Sequence, residues 1–278
     1  MKSPDDATLL ERYHANPGKT VAMLEPFRDG QGRSSYQVLA AELSDLPPDP
    51  TVLDVACGDG HLLALLAARG IRRLVGVDRS PEELAAARAR LGPRADLFCH
   101  DASALPLPDR SMDAVVCHMA LMLMDSLDRT LAEIARVLVP GHWLVAVINR
   151  PHPDPVVGVY SQELRRVTAE VGLDRLRLGP PDIFSIAGLR TRLRRPYFDE
   201  ERVAIQDFVV QFRASPQELW PLLESTYDVF RLPAVAKVAM QRTVISMWDA
   251  MCDGCGQLTA AMGLRLIKCP TPVTGWSP

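Results

Sequence analysis

A short apolar segment that leads directly into a glycine-rich turn is the feature that most constrains how this chain can fold. Residues 52–60 read VLDVACGDG, and the apolar run HLLALLAARG follows at once. A buried parallel strand reads as a short apolar run, and Gly58 and Gly60 permit the tight turn that joins such a strand to a helix. The pattern predicts a strand, a turn and a helix, with turn backbone that a ligand can approach. A turn that only joins the two elements is the alternative.

The alternation of strand and helix continues as far as Asn149. Ser80-Pro81 followed by Glu83 is typical of a helix start, with serine as the cap and glutamate placed for a capping box. Pro140-Gly141 is expected to end a later amphipathic helix, RTLAEIARVLV. Further strands are predicted from the segments LVGVD, DLFCHD, DAVVCHM and WLVAVIN. Strands that alternate with helices at this spacing indicate a parallel sheet covered on both faces.

The segments on either side of this core complete the predicted fold. Residues 5–15 and 34–44 are predicted to be N-terminal helices joined by RDGQGR, and RVAIQDFVVQF and GLRLIKC are expected to close the sheet. The fold class is α/β, a Rossmann-like, seven-stranded, mostly parallel sheet with helices on both faces, an N-terminal helical cover and an inserted cap. The single domain, 1–278, is divided into N-terminal helices (1–46), a cofactor-binding core (50–150), a cap or lid near the active site (151–198) and closing strands and helices (199–278).

Composition excludes several classes of protein. The chain has 278 residues, 47% of them apolar, and a formal net charge of -3, so no positive field draws it to nucleic acid or to an anionic membrane. It has no apolar stretch of about 18 residues that would span a membrane, and its first residues lack the apolar core of a signal peptide. A cytoplasmic protein that binds no membrane and no nucleic acid, as a monomer or homodimer, is therefore expected.

The six cysteines do not form a recognisable metal site. Cys252 and Cys255 form a lone CxxC, whereas a structural zinc site needs four ligands and no second CxxC or HxxxH pair accompanies this one. Ordinary reduced thiols and no metal are predicted.

The acid at the end of the first strand distinguishes two classes of nucleotide-binding turn. Dinucleotide enzymes use G-x-G-x-x-G beneath a pyrophosphate, but this chain reads ACGDGH or GDGHLL and lacks the third glycine. The carboxylate of Asp54 would repel a pyrophosphate, whereas it would attract an ammonium group. The turn therefore favours a ligand with an amino-acid end over a nicotinamide dinucleotide.

Acidic residues also follow the next two strands. Asp78 ends LVGVD, where a carboxylate can accept both hydroxyls of a ribose; a charge that only stabilises the start of the next helix is the alternative. Asp101 follows the third strand and can accept from an adenine amino group while the backbone N–H of Ala102 donates to the ring; a turn-forming aspartate is the alternative there. Because ligands of open α/β sheets bind outside the carboxyl ends of the strands, these acids are expected to share one site.

Four segments together resemble a known family. VLDVACGDG, LVGVD, HDASALPLPDRSMDAVV and IARVLVPGHWLVAVI, in this order over about residues 50–150, resemble the class I S-adenosylmethionine-dependent methyltransferases of the ubiquinone/menaquinone-biosynthesis and related small-molecule type. The resemblance implies S-adenosyl-L-methionine as cofactor and S-adenosyl-L-homocysteine as product. It places the methionine part on the first motif, the ribose on the acid after the second strand and the adenine on the Asp-Ala pair. The predicted cofactor-binding set is Asp54, Ala56, Cys57, Gly58, Gly60, Asp78, Arg79, Asp101, Ala102 and Cys117. The sequence departs from the family pattern at Ala56, where glycine is commoner, and at His142, where P-G-G is usual.

Methyl transfer from a sulfonium is an in-line displacement, so the enzyme mainly aligns the acceptor and excludes water. A base helps where the acceptor carries a proton of high pKa. His118, just after the fourth strand, is the first candidate for base or orienter; a histidine that bonds backbone and shapes the pocket floor is the alternative. Tyr13 and Tyr36 lie on the helices that resemble the family's active-site cover and complete the catalytic candidates, although helix-packing aromatics are equally common.

The acceptor is expected to be a small, apolar or aromatic molecule of specialised metabolism, methylated on carbon, nitrogen or oxygen. The aromatic residues and the apolar run expected to line its pocket, with plain core as the alternative, are Phe184, Tyr197, Trp220, Tyr227, Phe230 and ALMLM after His118. Alternatives are a methyltransferase of RNA or protein, disfavoured because CHMAL stands where an N-P-P-Y/F motif would be, and a cofactor-binding subunit without catalysis. The arginines of 151–198 suggest either a solvated cap or a site for an anionic group or partner.

Overall fold

The computed structural model describes residues 4–174, 176, 178–194 and 196–273. Seven strands form one sheet: β1 (Thr51–Val55), β2 (Arg73–Asp78), β3 (Ala95–Cys99), β4 (Met112–His118), β5 (Leu138–Arg150), β6 (Ala204–Ala214) and β7 (Leu258–Pro270). Their order across the sheet is β3-β2-β1-β4-β5-β7-β6. The pairs from β3 to β5 are parallel, whereas β7 runs antiparallel to both β5 and β6. The predicted seven-stranded, mostly parallel sheet is confirmed, including the two closing strands.

Eleven α-helices are found among the described residues: α1 (Pro4–His14), α2 (Lys19–Leu24), α3 (Ser35–Ala41), α4 (His61–Ala68), α5 (Pro81–Leu91), α6 (Leu127–Val137), α7 (Pro155–Glu170), α8 (Ile186–Arg192), α9 (Pro216–Glu224), α10 (Tyr227–Phe230) and α11 (Ala234–Asp249). None of them is long and apolar enough to cross a membrane. The N-terminal cover differs from the expectation in one respect, because the predicted pair of helices is accompanied by the short α2 between them.

Successive residues of each central strand pack into two separate apolar cores. In β4, Val116 belongs to the core that includes residues of α3 and α4, and the next residue, Cys117, belongs to the core beneath α6. This follows from the two-residue period of a strand, which sends neighbouring side chains to opposite faces. The last residue of β4, His118, is consequently on the same face as α3 and α4.

The region around Pro140-Gly141 differs from the prediction. Helix α6 ends at Val137, and β5 begins at Leu138 and continues through the proline and the glycine. The pairing of β4 with β5 shifts register between Met112 and Ala114, which is an irregularity of the kind that accommodates proline in a strand. The Gly141 N–H donates to Thr271 Oγ1 at 3.0 Å, so this backbone donor is satisfied outside the ladder.

The described residues of the segment 151–198 include two α-helices, α7 and α8. The longer one, α7, packs against α11 and β7, and the Trp248 indole N–H donates to the Val156 carbonyl at 2.9 Å. The Tyr160 hydroxyl bonds Thr226 Oγ1 at 2.6 Å. These contacts hold α7 against α11, against β7 and against Thr226, which directly precedes α10.

Candidate cofactor and acceptor site

A cavity of about 550 Å³ lies at the carboxyl ends of the central parallel strands. The ends of β1, β2 and β4 contribute Asp54, Asp78 and His118, and the loop after β3 contributes Asp101. Residues of α1, α3 and α10 close the opposite side. The three acids that the sequence predicted to share one site therefore line one cavity, with His118 among them.

The glycine-rich turn between β1 and α4 adopts left-handed backbone at three positions. Ala56, Gly58 and Gly60 have φ values of 59°, 52° and 75°. The Cys57 N–H donates to the Val77 carbonyl at 3.1 Å, which holds the turn against β2. A Cβ on Gly60 would lie 2.9 Å from Leu91 Cδ1, so this glycine allows the turn to pack against α5.

Ala56 carries the strain of this turn. It is one of few non-glycine residues with positive φ among those described, and that conformation costs about 1–2 kcal/mol for a residue with a Cβ. We expect Ala56→Gly to raise the free energy of unfolding by about 0.5 kcal/mol, since relief of strain exceeds the extra chain entropy that glycine loses. Urea denaturation measures the change. A decrease in stability would show that the alanine methyl contributes packing that outweighs its strain.

Asp78 ties the turn to the next loop. Its two carboxylate oxygens accept from the backbone N–H groups of Gly58 and Ser80, each at 2.9 Å. A carboxylate oxygen accepts more than one hydrogen bond, so Asp78 keeps acceptor capacity toward the cavity that it lines. The Asp101 carboxylate also accepts from a backbone N–H, that of Ser103, at 2.8 Å. Burial raises the pKa of Asp101, but the hydrogen bonds from Ser103 outweigh it and leave that pKa lowered.

Asp54 is the unusual acid of the set. It is only 2% exposed, and burial, followed by the negative charges of Asp78 and Asp59, raises its pKa well above the usual range. No side-chain hydrogen bond or ion pair joins Asp54 to another residue in the described part of the chain. A buried carboxylate is expensive unless it is paired. The turn therefore offers a place where an ammonium group would find its counter-charge, which fits the amino-acid end of S-adenosyl-L-methionine.

His118 is buried against the cover helices. Its ring stacks on Tyr36 with 3.8 Å between the ring centroids, and its Nε2 lies 2.9 Å from Ser35 Oγ. Its Nδ1 is buried without a hydrogen-bond partner among the described residues. Burial, with a smaller contribution from His61, lowers the pKa of His118 to about 3. The imidazole is thus neutral at physiological pH.

The N-terminal cover is anchored to the core through Glu83. His14 Nδ1 lies 3.1 Å from Glu83 Oε1, and the Gly18 N–H donates to Glu83 Oε2 at 3.1 Å. His14 Nε2 in turn lies 3.2 Å from the Tyr227 hydroxyl. The predicted capping box at Ser80 is consequently half formed: Ser80 Oγ accepts from the Glu83 N–H, but the Glu83 side chain points to the cover instead of back to the cap.

The cavity is markedly acidic. Eight of its lining residues are aspartate or glutamate, and one, Arg79, is an arginine. No described residue of 151–198 lines it, so the cap does not lie over this cavity. Two arginines of that segment pair with acids outside the cavity: Arg166 with Glu163 and Glu170, and Arg192 with Asp128 and Asp182. The described arginines of the segment do not line this cavity, and a site for an anionic group or partner on them stays a prediction.

Most of the predicted site residues are brought together by the fold. Those that line the cavity are Tyr36, Asp54, Ala56, Cys57, Gly58, Asp78, Arg79, Asp101, Ala102 and His118. From the predicted acceptor pocket, the cavity includes Tyr227 and part of the apolar run after His118, namely Ala120, Leu123 and Met124.

Three predicted site residues do not line this cavity. Cys117 is completely buried on the opposite face of β4, as the alternation of strand side chains requires. Tyr13 turns away, because its hydroxyl donates to the Ser225 carbonyl and its ring packs on Tyr227. Gly60 lies where the turn packs against α5. The aromatic residues of the predicted acceptor pocket that also lie outside it are Phe184, Tyr197, Trp220 and Phe230.

The structure adds residues that sequence reasoning did not single out. His14, Ser35, His61 and Glu83 all belong to the cavity wall or contact a residue that does. Glu83 matches a capping box in the sequence, and this gave no sign that its side chain contacts the N-terminal cover. Ser35 follows Ser34, the cap of α3, and Ser35 itself belongs to no sequence motif. Among the described residues, no group of three histidine, cysteine or acidic side chains is placed to hold a metal ion.

Comparison with known proteins agrees with this site. Residues 52–141 match a family model described as a methyltransferase domain. A demethylmenaquinone methyltransferase of Symbiobacterium thermophilum is 37% identical over 127 residues, 43% of this chain and 50% of that protein. A 2-phytyl-1,4-naphtoquinone methyltransferase of Thermosynechococcus vestitus is 33% identical over 122 residues, 42% of this chain and 54% of that protein. The YcgJ protein of Bacillus subtilis has the same fold, with a TM-score of 0.57 at 18% identity over 87% of this chain and 99% of that chain.

The family match and the relatives agree on one class of domain. Residues 52–141 match a methyltransferase domain, and the chain is similar to quinone methyltransferases of the ubiquinone/menaquinone type; S-adenosyl-L-methionine is the cofactor of that class. The predicted resemblance is confirmed. The chain spans about half the length of the curated relatives it matches.

Proposed function

We propose that this protein transfers a methyl group from S-adenosyl-L-methionine to a small acceptor with an apolar or aromatic body. The observation that carries the proposal is Asp54, a buried carboxylate that pairs with no other described residue and lies at the turn of a methyltransferase domain. An ammonium group in the cavity would supply the missing counter-charge. An acidic cavity and a negative net charge also favour a small molecule over a nucleic acid. We expect a cytoplasmic monomer or homodimer.

The chain's own residues would mainly bind the cofactor and orient the acceptor. Asp54 would hold the amino group, Asp78 the ribose hydroxyls, and Asp101 with the Ala102 N–H the adenine. The bound cofactor supplies an activated methyl group on a sulfonium. Because such a displacement needs alignment more than acid–base help, the cover helices contribute by keeping water away from the reacting atoms, and His118 by orienting the acceptor.

The acceptor class is narrowed by both the cavity and the relatives. The curated relatives reported above are named for methylation of demethylmenaquinone and of a phytyl-naphthoquinone. Tyr36, Leu123, Met124 and Tyr227 contribute apolar and aromatic surface to this cavity. We propose a quinone-like molecule, bound in its reduced form, as the acceptor class.

Calorimetry with S-adenosylhomocysteine and with NAD tests the cofactor assignment. We expect S-adenosylhomocysteine at about 100 times its Kd to raise the free energy of unfolding by about 2.7 kcal/mol, and NAD to leave it unchanged. Stabilisation by NAD alone would overturn the assignment. Mass spectrometry of a reaction with reduced 1,4-naphthoquinone then tests methyl transfer. A protein that binds S-adenosylhomocysteine but methylates none of a panel of quinols and phenols would instead support the cofactor-binding subunit that the sequence left open.

A further inference from the structure

Ser35 and His118 form a buried pair at the wall of the cavity. Ser35 is the first residue of α3 and is 1% exposed, and His118 is 8% exposed. Their side chains meet at 2.9 Å, between Ser35 Oγ and His118 Nε2. The ring lines the cavity, whereas Ser35 does not. The serine therefore contacts the histidine from the protein side, and the other ring nitrogen, Nδ1, is buried without a hydrogen-bond partner among the described residues.

Counting donors and acceptors distinguishes the two neutral tautomers of His118. If Nε2 carried the proton, it would donate to Ser35, and both the serine O–H and the bare Nδ1 would be buried without partners. If Nδ1 carries the proton, the serine O–H donates to Nε2, and only the Nδ1–H remains unpaired. A buried polar group left unpaired is costly, so the second arrangement is favoured.

We propose that Ser35 is a positioning residue that holds His118 in the Nδ1–H tautomer, so that His118 donates a hydrogen bond to an oxygen of the acceptor. The acceptor half of this inference rests on the proposed function, but the tautomer does not. A nitrogen that already carries a proton cannot act as a base, so Nδ1 orients the acceptor and stabilises negative charge on its oxygen. The low pKa of His118 is consistent with this, because an imidazole that resists protonation is a poor base but a competent donor.

The complementary group on the acceptor is a carbonyl or phenolic oxygen. Such an oxygen accepts from Nδ1–H, and the hydrogen bond fixes the orientation of the acceptor in the cavity. A purely hydrocarbon acceptor would leave the Nδ1–H unpaired. The quinol proposed above meets this requirement, because its hydroxyl oxygens can accept from Nδ1–H.

Nitrogen-15 NMR of the histidine rings tests the tautomer directly. We expect His118 at pH 7 to show a protonated, pyrrole-type Nδ1 and a bare, pyridine-type Nε2, with the signals assigned by their loss in His118→Gln. Ser35→Ala should shift His118 toward the Nε2–H form or a mixture. A wild-type ring that is protonated at Nε2 or at both nitrogens would overturn the proposal, and so would an unchanged tautomer in Ser35→Ala.

Ser34→Ala is the matched control. Ser34 caps the same helix by accepting from the Gln37 N–H, and no hydrogen bond joins it to His118 among the described residues. We expect Ser34→Ala to lower stability while leaving the ring signals of His118 unchanged. If both serine variants changed the tautomer alike, the effect would come from loosening of α3, and Ser35 would have no specific role.

Two bicyclic probes that differ by one oxygen test the acceptor half. With S-adenosylhomocysteine present, we expect 1-tetralone to bind about tenfold more tightly than tetralin, the value of one hydrogen bond, and to shift the His118 Nδ1 signal. Equal binding, no binding by either probe, or a bound 1-tetralone that leaves Nδ1 unchanged would overturn the oxygen-bearing class. Failure of S-adenosylhomocysteine itself to bind would refute the proposed function and leave the tautomer result standing.

Discussion

Asp54→Asn is expected to weaken S-adenosylhomocysteine binding by on the order of 100-fold while leaving the ligand-free protein as stable as the wild type or more so. The carboxylate is 2% exposed and has no cationic partner in the described residues, so in the ligand-free protein its charge brings only a desolvation cost. With the cofactor product bound, the same charge is expected to pair with the ammonium group of the ligand at a buried position. Loss of one partner of a buried ion pair costs several kcal/mol, and about 2.8 kcal/mol corresponds to 100-fold.

The pH dependence of stability distinguishes this explanation from a packing effect. Burial raises the pKa of Asp54 in the folded protein, so between the unfolded and the folded pKa the folded state binds the additional proton. Stability contributed by this group therefore falls as pH rises above about 4 and levels off above the folded pKa. Asp54→Asn removes this dependence, so its advantage over the wild type should grow with pH across that interval. Urea denaturation at a series of pH values measures it.

Asp59→Asn is the matched control, five positions along the same loop. Asp59 is also buried but already has a cation, because Arg90 pairs with it. We expect Asp59→Asn to lower the free energy of unfolding by about 1 kcal/mol, since the arginine is partly exposed. Binding should weaken much less than in Asp54→Asn. Equal losses of affinity in the two variants would show that the loop responds to any change of charge, and the specific pairing at Asp54 would be wrong.

The strand ends could be predicted from the sequence because their chemistry is local. Asp54, Asp78 and Asp101 each follow an apolar run directly, and parallel strands bring such residues to one edge of a sheet without further information. The glycine turn is recognisable for the same reason, since its backbone conformation depends on residues 56–60 alone. The common position of these acids could therefore be predicted before any contact between distant segments was known.

The cover of the site could not be predicted, because it depends on contacts between residues far apart in the chain. Glu83 looks like half of a capping box from its spacing, and its contact with His14, 69 residues earlier, follows only from how α1 packs on α5. Tyr13 and Tyr36 are both aromatic residues of N-terminal helices, and nothing in their neighbours shows that one faces Ser225 and the other His118. The interpretation of Pro140-Gly141 as a helix end was wrong because a register shift between β4 and β5 lets the proline and the glycine lie within β5.

The described residues of the segment 151–198 do not line the cavity, but through Gly179 the segment contacts the loop that follows His118. A Cβ on Gly179 would lie 2.3 Å from the Met122 carbonyl oxygen and 2.8 Å from its carbon, and Gly179 has a φ of 58°. The obstructing atoms are backbone atoms, so no side-chain rotation relieves the clash. The short 3₁₀ turn Leu121–Leu123 that they belong to is followed by Met124, which lines the cavity. Gly179 thus allows the segment to pack against the loop that follows His118.

Gly179→Ala is therefore expected to lower the free energy of unfolding by about 3 kcal/mol. Backbone displacement of this kind costs about 1–3 kcal/mol, and a left-handed alanine adds about 1–2 kcal/mol. Gly172→Ala separates the two effects, because Gly172 also has a positive φ, 68°, but nothing lies within 4 Å of its added Cβ. That variant should lose only about 1 kcal/mol. Chemical denaturation with an unchanged m-value measures both, and equal losses in the two variants would mean that the contact with Met122 contributes nothing to the packing of this segment.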